Sequence, residues 1–424
     1  MTGTSRVDHV TCLGCGCGCD DLSVTVSGGR ITEVSPVCPL GRAWFGDGSI
    51  PLEVRRAGEP VSLEQAVTEA AELLLAARGR VLVYIGPDLT SQAQRQAVAL
   101  ADLLAATVDS ATTPTAAEGL LAMQRRGRAG ATLGEVRNRA DVLVFWGMEP
   151  AQRYPRFMAR YVEPAGTHVP QGRSGRTLIG VSVGSDSAPR GADLTLALDP
   201  NEEIAALSLM RASLQGYARE QTSPGLTQAI AISDRLAKAR YAVLVHEAEP
   251  TDQPRNNLRV EALIALAHAL NGPTRAALIS LRAGGNRVGA ESVLTWQTGY
   301  PFAVDYSRGH PHYDPAERGV ERLGAGSGFR AVVVVGSPAF DEALSSRLDP
   351  MSTVVVGPRA SQAPFATRLA IDTGVAGIHE GGTAYRTDEV PLQLRPPLDG
   401  QRSATAVLSA LISAVRAGLV QRHS

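Results

Sequence analysis

From about residue 80 onward, the chain repeats short β-branched apolar runs that end at or near glycine, each followed by a stretch with helical spacing. Continuous apolar runs of this length are typical of parallel strands that are buried on both faces. Alternation of strands and helices predicts α/β sheets with right-handed crossovers. The predicted strands cover residues 81–86, 141–147, 177–181, 241–246, 276–280, 331–336 and 352–357.

Helices are predicted between these runs. Ser62-Leu-Glu-Gln65 has the pattern of a capping box and predicts a helix that ends near Arg78. Residues 201–214 and 258–270 carry apolar side chains at helical spacing, so they predict two more helices.

Two segments depart from this pattern. Residues 1–57 contain every cysteine of the chain and a predicted hairpin over 22–34 that turns at 27–29. This composition indicates a small metal-stabilised cap on a larger α/β body. Residues 282–317 are rich in glycine, aromatic residues and histidine with little periodicity, which predicts an irregular functional or interface segment.

Charge and composition exclude several function classes. The chain has 424 residues and 41 basic against 42 acidic side chains, and no basic stretch predicts binding to nucleic acid or to a membrane surface. No run approaches the length of an apolar membrane span, and the N-terminus has no export signal, so we expect a cytoplasmic protein. Lys238 is the single lysine, which disfavours phosphoryl transfer and Schiff-base chemistry.

The cysteines have the spacing of a metal site. Cys12, Cys15 and Cys19 come from one short loop, and Cys38 follows the predicted hairpin. Four thiolates in this arrangement suit a 4Fe–4S cluster. A structural zinc ion, which prefers paired Cys-x2-Cys knuckles, and an empty site are the alternatives. Cys17 is left over, either as a spare thiol or as a replacement for a neighbouring ligand.

Four segments together carry a resemblance to a known family. The segments are Cys12–Asp21 with the later Cys38, Thr132–Asp141, Leu294–Gly309 and Gly377–Arg386. They resemble the B subunits of formylmethanofuran dehydrogenases, which belong to the molybdo- and tungsto-pterin oxidoreductases together with formate dehydrogenase. The resemblance covers nearly the whole chain.

The resemblance implies the architecture of formate dehydrogenase and of DMSO reductase-type proteins, without their C-terminal barrel. Residues 1–57 would form the 4Fe–4S cap. A split Rossmann-like αβα domain would comprise residues 58–108 and 286–424, and a second Rossmann-like domain, residues 109–285, would be inserted into it. In this family a separate subunit carries the barrel that completes pterin binding.

The same resemblance locates the expected redox site and indicates that it is lost. Active relatives bind their metal through a Cys-His-Gly-Pro segment, and the corresponding residues here are Thr115, Ala116, Ala117 and Glu118. No cysteine occurs after Cys38, so no other thiolate can replace the missing ligand. The arginine that orients the substrate in relatives remains as Arg282, either as a catalytic remnant or as a structural ion-pair partner.

The pterin-binding positions are altered as well. After Gly147 the family has x-Asn-Pro, whereas this chain has Met148-Glu149-Pro150. A carboxylate at Glu149 would repel a nucleotide phosphate. We therefore expect the molybdo- or tungsto-pterin to be absent, with only a degenerate site near Gly147 and Glu149.

These losses make the chain most similar to the B subunit of the formyltransferase/hydrolase complex of methylotrophic bacteria. The resemblance implies a non-redox scaffold in one-carbon metabolism, with formyltransferase, amidohydrolase and pterin-barrel-like subunits as partners. One alternative is an active redox subunit that binds molybdenum or tungsten through an oxygen ligand, Thr115 or Glu118. The other is a zinc-binding interaction protein.

Several further residues allow both a functional and a structural interpretation. Asp20 and Asp21 either tune the cluster or cap the hairpin. His379 and Glu380 are either catalytic or serve domain packing or a subunit contact. Trp296 is expected in the core or in an interface.

Overall fold

The computed structural model describes residues 3–217, 223–251, 255–324, 326–349, 351–398 and 400–423. Their strands form sheets of three, five and nine strands and one two-stranded ribbon. The prediction of a mixed α/β fold with several sheets is thereby confirmed.

The N-terminal sheet is antiparallel, with its strands in the order β1-β2-β3. Every second side chain of β2 is buried, as in a strand that packs one face on a core. The hairpin turn is confirmed: Gly28 and Gly29 both have positive φ angles, 59° and 75°, which glycine adopts without strain. The elements are β1 (Thr4–Val10), β2 (Leu22–Ser27), β3 (Arg30–Ser35) and helix α1 (Pro39–Phe45).

A second sheet has five parallel strands in the order β10-β9-β8-β11-β12. Because β9 and β11 lie on opposite sides of β8, the chain reverses direction across the sheet at β8. Its strands are β8 (Val142–Trp146), β9 (Thr177–Val183), β10 (Leu194–Leu198), β11 (Ala242–Glu247) and β12 (Ala276–Leu281). The associated helices are α4 (Pro114–Arg126), α5 (Leu133–Arg139), α6 (Pro150–Arg153), a π-helical turn (Met158–Val162), a 3₁₀ turn (Gly172–Gly175), α7 (Glu203–Leu214), α8 (Pro224–Ala237) and α9 (Arg259–Leu270).

The third sheet has nine strands in the order β14-β13-β7-β6-β15-β16-β17-β4-β5. The five strands from β7 to β17 in that order are parallel, and short antiparallel strands extend both edges. Its strands are β4 (Val54–Arg56), β5 (Glu59–Pro60), β6 (Val81–Ile85), β7 (Thr107–Ser110), β13 (Val304–Asp305), β14 (His312–Tyr313), β15 (Ala331–Val335), β16 (Ser352–Gly357) and β17 (Leu369–Asp372). The other elements in these parts of the chain are α2 (Leu63–Ala76), α3 (Ser91–Leu103), α10 (Arg287–Thr298), α11 (Glu342–Leu348), α12 (Ala404–His423), 3₁₀ turns at Val320–Arg322 and Ala360–Gln362, and the ribbon of β18 (Gly382–Tyr385) and β19 (Pro391–Leu394).

The apolar runs of the sequence account for both larger sheets. Each of the seven predicted runs forms a strand that is buried along most of its length. The predicted helices correspond to α2, α7 and α9, and both bonds of the Ser62–Gln65 capping box are present at 3.1 Å. These predictions are confirmed. They could be made from the sequence because strands and helices of this kind have local patterns of apolar residues.

The prediction of an irregular segment over residues 282–317 is wrong in its middle, where α10 lies. The buried face of α10 includes Gly289 and Glu291, which hide the apolar periodicity of that helix. Trp296 on the same helix is 60% exposed, so it does not belong to the core. Its place in an interface stays a prediction.

The C-terminal helix α12 is long and apolar enough to cross a membrane by length and composition, in residues Ala404–Arg422. It packs against α2 and α3 on the nine-stranded sheet. Val407, Leu408, Leu411 and Val415 recur at helical spacing on its buried side. In this fold the helix therefore contributes to the core around that sheet.

The chain completes β7, forms the whole five-stranded sheet, and then returns to the nine-stranded sheet at β13. One face of the five-stranded sheet shares a core with the N-terminal sheet and with Cys12, Cys15, Cys17 and Cys19. The cysteine loop therefore lies against residues that are more than a hundred positions away in sequence.

Candidate functional site

The cysteine loop connects β1 to β2 and is closed by a hydrogen bond from the Cys12 N–H to the Cys19 carbonyl, 2.8 Å. Cys12, Cys15, Cys17 and Cys19 are buried, and Cys38 is half-buried at the start of α1. The Gly14 N–H donates to Cys12 Sγ (3.3 Å) and the Gly41 N–H to Cys38 Sγ (3.4 Å). Backbone N–H groups that point at sulfur stabilise thiolates.

Gly41 lies close to the sulfurs of both Cys12 and Cys38. A Cβ atom at this position would lie 3.2 Å from Cys12 Sγ and 3.8 Å from Cys38 Sγ. Since both sulfurs lie within 4 Å of this Cβ position, the loop and the start of α1 bring Cys12 and Cys38 together.

The thiols differ in their ionisation. Burial raises the pKa values of Cys12 and Cys19. A hydrogen bond with the Cys17 thiol lowers the pKa of Cys15 to about 7, and the same bond raises the pKa of Cys17. Cys17 thus holds its proton as a donor, whereas Cys15 is readily available as a thiolate.

The donor set fits an iron–sulfur cluster. The four predicted ligands are three thiols of the loop, Cys12, Cys15 and Cys19, and the thiol of Cys38 directly before α1. Backbone N–H groups contact the sulfurs of Cys12 and Cys38. Within the described parts of the chain, no three His, Cys, Asp or Glu side chains are grouped around one metal-ion position. The cluster and its zinc alternative both stay predictions.

Asp20 and Asp21 follow the cysteine loop and bind two arginines near the π-helical turn. Arg156 donates two bonds to Asp21, at 2.8 and 2.6 Å. Arg160 donates to Asp20 at 2.8 Å. These ion pairs hold the cysteine loop against the segment that leads into β9.

Arg282 lies at the end of β12 and is 5% exposed. Its Nε donates to Glu249 at 2.8 Å, and its Nη1 and Nη2 donate to Glu291 at 2.9 and 2.7 Å. Although burial opposes its charge, Glu291 and Glu249 raise the pKa of Arg282. Thr113 and Thr112, just before α4, donate to the same two carboxylates at 2.9 and 2.8 Å.

The positions predicted to have lost the metal ligands lie beside this ion-pair network. Thr115 and Ala116 line a cavity of about 40 Å³ together with Arg282, whereas Glu118 does not line it. Ligand pockets usually occupy ~300–1,000 Å³. The cavity is therefore much smaller than a usual ligand pocket and has room for a water molecule or two.

His246 lines the same cavity and is buried at the end of β11. Its Nδ1 lies 3.1 Å from the Glu247 carbonyl, and its Nε2 lies 2.7 Å from Ser280 Oγ. The carbonyl can only accept, so Nδ1 carries the proton and Nε2 accepts from Ser280. Burial lowers the pKa of His246 to about 3, so the ring stays neutral.

The sequence interpretation missed Glu249, Glu291 and His246. Acidic residues directly after β11, at the carboxyl end of a parallel strand, were a usable signal for Glu249. Glu291 lies three residues after Val288 and three before Leu294, so a helical register for this segment would have placed it on the buried side.

The predicted degenerate pterin site lies at a cleft of about 420 Å³. Gly147 and Glu149 line this cleft at the carboxyl end of β8, where the sheet reverses direction. Open α/β sheets bind ligands at such points. The Glu149 carboxylate accepts from the N–H groups of Ala151 and Arg190, both at 3.0 Å, so it is held within the cleft wall.

The segment around His379 to Glu389 joins distant parts of the molecule. Glu380 accepts from the Ala404 N–H at the start of α12, 2.9 Å. The Thr387 N–H donates to the Gly16 carbonyl, 3.0 Å, and its hydroxyl accepts from the Arg282 N–H, 3.0 Å. His379 Nε2 lies 2.8 Å from the Gly48 carbonyl. These contacts favour the domain-packing interpretation of His379 and Glu380.

No family model matches the chain. It is 32% identical over 97% of its length to the B subunit of the tungsten-containing formylmethanofuran dehydrogenase 2 of Methanocaldococcus jannaschii, of which it covers 98%. It is 30% identical over 96% of its length to the protein of that name from Methanococcus maripaludis, again covering 98%. It is 26% identical over 77% of its length to the B subunit of the formyltransferase/hydrolase complex Fhc of Methylorubrum extorquens, covering 86%.

The fold resembles a chain in the crystal structure of the formyltransferase/hydrolase complex FhcABCD from Methylorubrum extorquens in complex with methylofuran. The TM-score is 0.72 with 24% identity, over 86% of this chain and 99% of that chain. At this identity the likeness establishes the fold.

Proposed function

The chain belongs to the family of formylmethanofuran dehydrogenase B subunits, and from this membership we propose that it is the B subunit of a formyltransferase/hydrolase complex of one-carbon metabolism. Its role there is that of a scaffold without redox chemistry of its own. Its partners are formyltransferase, amidohydrolase and pterin-barrel-like subunits, and the complex is cytoplasmic.

The observation that carries the proposal is the closed environment of Arg282. All three nitrogens of the guanidinium donate to Glu249 or Glu291, so these two carboxylates compete with a carboxylate substrate for the group. The adjoining cavity of about 40 Å³ is far smaller than a usual ligand pocket. In addition, the chain has no cysteine after Cys38 that would bind molybdenum or tungsten.

The finer architecture follows from the same proposal. Residues 1–57, with the three-stranded sheet, form a cap around a 4Fe–4S cluster held by Cys12, Cys15, Cys19 and Cys38. The nine-stranded sheet, apart from β4 and the last two residues of β7, belongs to a split Rossmann-like domain of residues 58–108 with 286–424. The five-stranded sheet belongs to an inserted Rossmann-like domain of residues 109–285. When bound, such a cluster cross-links four thiolates and carries one-electron chemistry. In a scaffold its contribution is to clamp the loop and α1 together.

A specific observation also favours a second function. The two relatives that share at least 30% identity are named as tungsten-containing enzymes. An active redox subunit would then need an oxygen ligand. Thr115 is better placed for this role than Glu118, because only Thr115 lines the cavity beside Arg282.

Elemental analysis of the complex, purified without oxygen, tests these functions. The scaffold with a cluster predicts about four irons and as many labile sulfides per chain, with neither molybdenum nor tungsten. The purified complex should transfer and hydrolyse formyl groups without reducing redox dyes.

Stoichiometric tungsten or molybdenum would overturn the scaffold proposal, and a Thr115→Ala variant would then test the oxygen ligand. Zinc without iron or sulfide would retain the scaffold and replace the cluster by a zinc site. Dye reduction in a preparation that lacks both heavy metals would argue against a non-redox subunit.

A further inference from the structure

Arg160 comes from the segment before β9 and approaches the cysteine loop from the five-stranded-sheet part of the molecule. It lies within the π-helical turn Met158–Val162, a rare helical form that often occurs at functional sites. Phe157 and Tyr161 anchor this turn through edge-to-face contacts, with Phe157 also packed on Phe145. The backbone that presents Arg160 is therefore fixed by a buried aromatic cluster.

Arg156 and Arg160 lie one helical turn apart and both face the cysteine loop, but they differ in how many of their N–H groups have a partner. Arg156 is satisfied by its paired bonds to Asp21. Arg160 uses Nη2 for Asp20 at 2.8 Å. Its Nη1 is fully enclosed and has no well-aligned acceptor in the described chain, although Asp21 Oδ1 lies 3.2 Å away. A buried N–H without a partner calls for an acceptor that occupies the site when it is complete.

A soft acceptor, the Cys19 thiol, belongs to the residue directly before Asp20, which Arg160 binds. The charge of Arg160 opposes the burial that raises the pKa of this thiol. Cys19 is 5% exposed and shares a core with Cys12, Cys15 and Cys17. A guanidinium in this position can donate to a metal-bound thiolate or to an inorganic sulfide beside it.

We propose that Arg160 completes the cluster site by donating to the Cys19 thiolate and to the sulfur next to it. Arg160 is a positioning residue: it holds the thiolate, balances part of the negative charge of the cluster, and couples cluster binding to the packing of the π-helical turn. The inference rests on the proposed cluster and adds a contact that the cysteine spacing does not reveal.

The test uses the whole complex, purified without oxygen, with three variants of this chain. Arg160→Gln removes the charge and shortens the donor, whereas Arg160→Lys keeps the charge but loses the planar fork. Arg156→Gln is the matched control, because it removes an arginine one turn away that also pairs with Asp21. Iron release to a chelator is timed for each, and the midpoint potential of the cluster is followed by electron paramagnetic resonance.

We expect Arg160→Gln to release iron about tenfold faster than wild type, because outer contacts of metal ligands commonly contribute this much. Its midpoint potential should be more negative, since N–H donors to sulfur favour the reduced cluster. Arg160→Lys should lie between wild type and Arg160→Gln, and Arg156→Gln should stay close to wild type. If the cluster is not reducible, the iron-release rates decide.

Equal rates in wild type and Arg160→Gln would overturn the inference. Equal effects of Arg160→Gln and Arg156→Gln would also overturn it, since a general loss of positive charge would then explain both. If Arg160→Gln does not fold, the Arg160→Lys variant decides instead. Iron release from Arg160→Lys at the wild-type rate would then overturn the inference. Wild-type complex without iron and sulfide would instead refute the cluster itself, so the two failures are distinguishable.

Discussion

Arg282 and Glu291 form two parallel hydrogen bonds, Nη1 to Oε2 at 2.9 Å and Nη2 to Oε1 at 2.7 Å, in a buried part of the molecule. Glu249 binds the remaining Nε of the guanidinium. Two carboxylates against one guanidinium leave no net positive charge for a substrate anion. Arg282, which the sequence predicts to be a catalytic remnant or a structural ion-pair partner, is thus the centre of a buried ion-pair network.

Removing one partner of this pair should destabilise the fold. In Glu291→Gln the guanidinium loses half of its charge balance in a buried site, and we expect a loss of about 3–5 kcal/mol in the free energy of unfolding. Glu261→Gln is the control, because its partners Arg125 and Arg126 are at least half exposed. Exposed ion pairs contribute little to stability, so we expect this control to unfold close to wild type. Thermal unfolding of the complex measures both.

The same variant also tests the scaffold role. In Glu291→Gln complex that remains folded, the rate of formyl transfer should match wild type, because the network takes no part in catalysis if the subunit is a scaffold. A fall in kcat at unchanged stability would show that this site still contributes to the reaction.

We expect substitution of a proposed cluster ligand, such as Cys38, to have a different effect from substitution of Cys17, which is proposed not to bind the cluster. Cys38→Ser removes a proposed ligand, so the purified complex should lose most of its iron and sulfide. Cys17→Ser keeps a hydroxyl donor next to Cys15 and should retain the cluster. Iron and sulfide assays on both variants measure this. If Cys17→Ser loses its iron whereas Cys38→Ser retains it, Cys17 would be assigned as a cluster ligand in place of one of the other cysteines.

Gly16 is required by a close backbone approach. A Cβ atom there would lie 2.1 Å from the Arg282 carbonyl oxygen, and that strand end cannot move without disturbing the ion-pair network. We expect Gly16→Ala to prevent assembly of folded complex. Gly134→Ala is the matched control, since its Cβ would meet only the Thr132 hydroxyl at 3.6 Å, within a helix. Yields of assembled complex on gel filtration compare the two.

Acid should destabilise the fold partly through His246. Burial lowers the pKa of His246 to about 3, whereas an unfolded histidine has a pKa near 6.5. Below pH 6.5 the unfolded chain binds a proton that the folded chain does not, so stability falls as the pH decreases. Each unit of pH corresponds to about 1.4 kcal/mol, which gives ~2 kcal/mol between pH 6.5 and 5.

In His246→Gln this contribution is removed. The stability of the variant should therefore decrease less than that of wild type over the same interval, as measured by denaturant unfolding of the complex at each pH. Parallel pH profiles for wild type and variant would contradict the assignment of a neutral buried histidine.

Local patterns were sufficient for much of the fold. The valine-rich run that forms β15 can be recognised directly, because a strand buried on both faces needs apolar residues at every position. The short edge strands β13 and β14 have two residues each, so they contain no period to recognise. Helix α10 escaped recognition because Glu291, a charged residue, lies on its buried side.

The candidate site shows the same division. The clustering of the cysteines up to residue 38 and the absence of any thiolate beyond it are facts of composition and spacing, so the sequence alone establishes both. The ion pairs near the cysteines and around Arg282, in contrast, join residues that are far apart in the sequence. Arg282 is separated from Glu249 by 33 residues, and Arg160 from Asp20 by 140, so no local pattern links them.

Which charges meet depends on the tertiary structure. The carboxyl ends of β11 and β12 and the start of α10 converge on Arg282 because parallel strands end at one edge of their sheet. Because the guanidinium of Arg282 is buried, leaving it without carboxylate partners would cost much of the stability of the fold. The absence of a cysteine after Cys38 is therefore visible in the sequence, whereas the ion pairs that enclose Arg282 are a property of the fold.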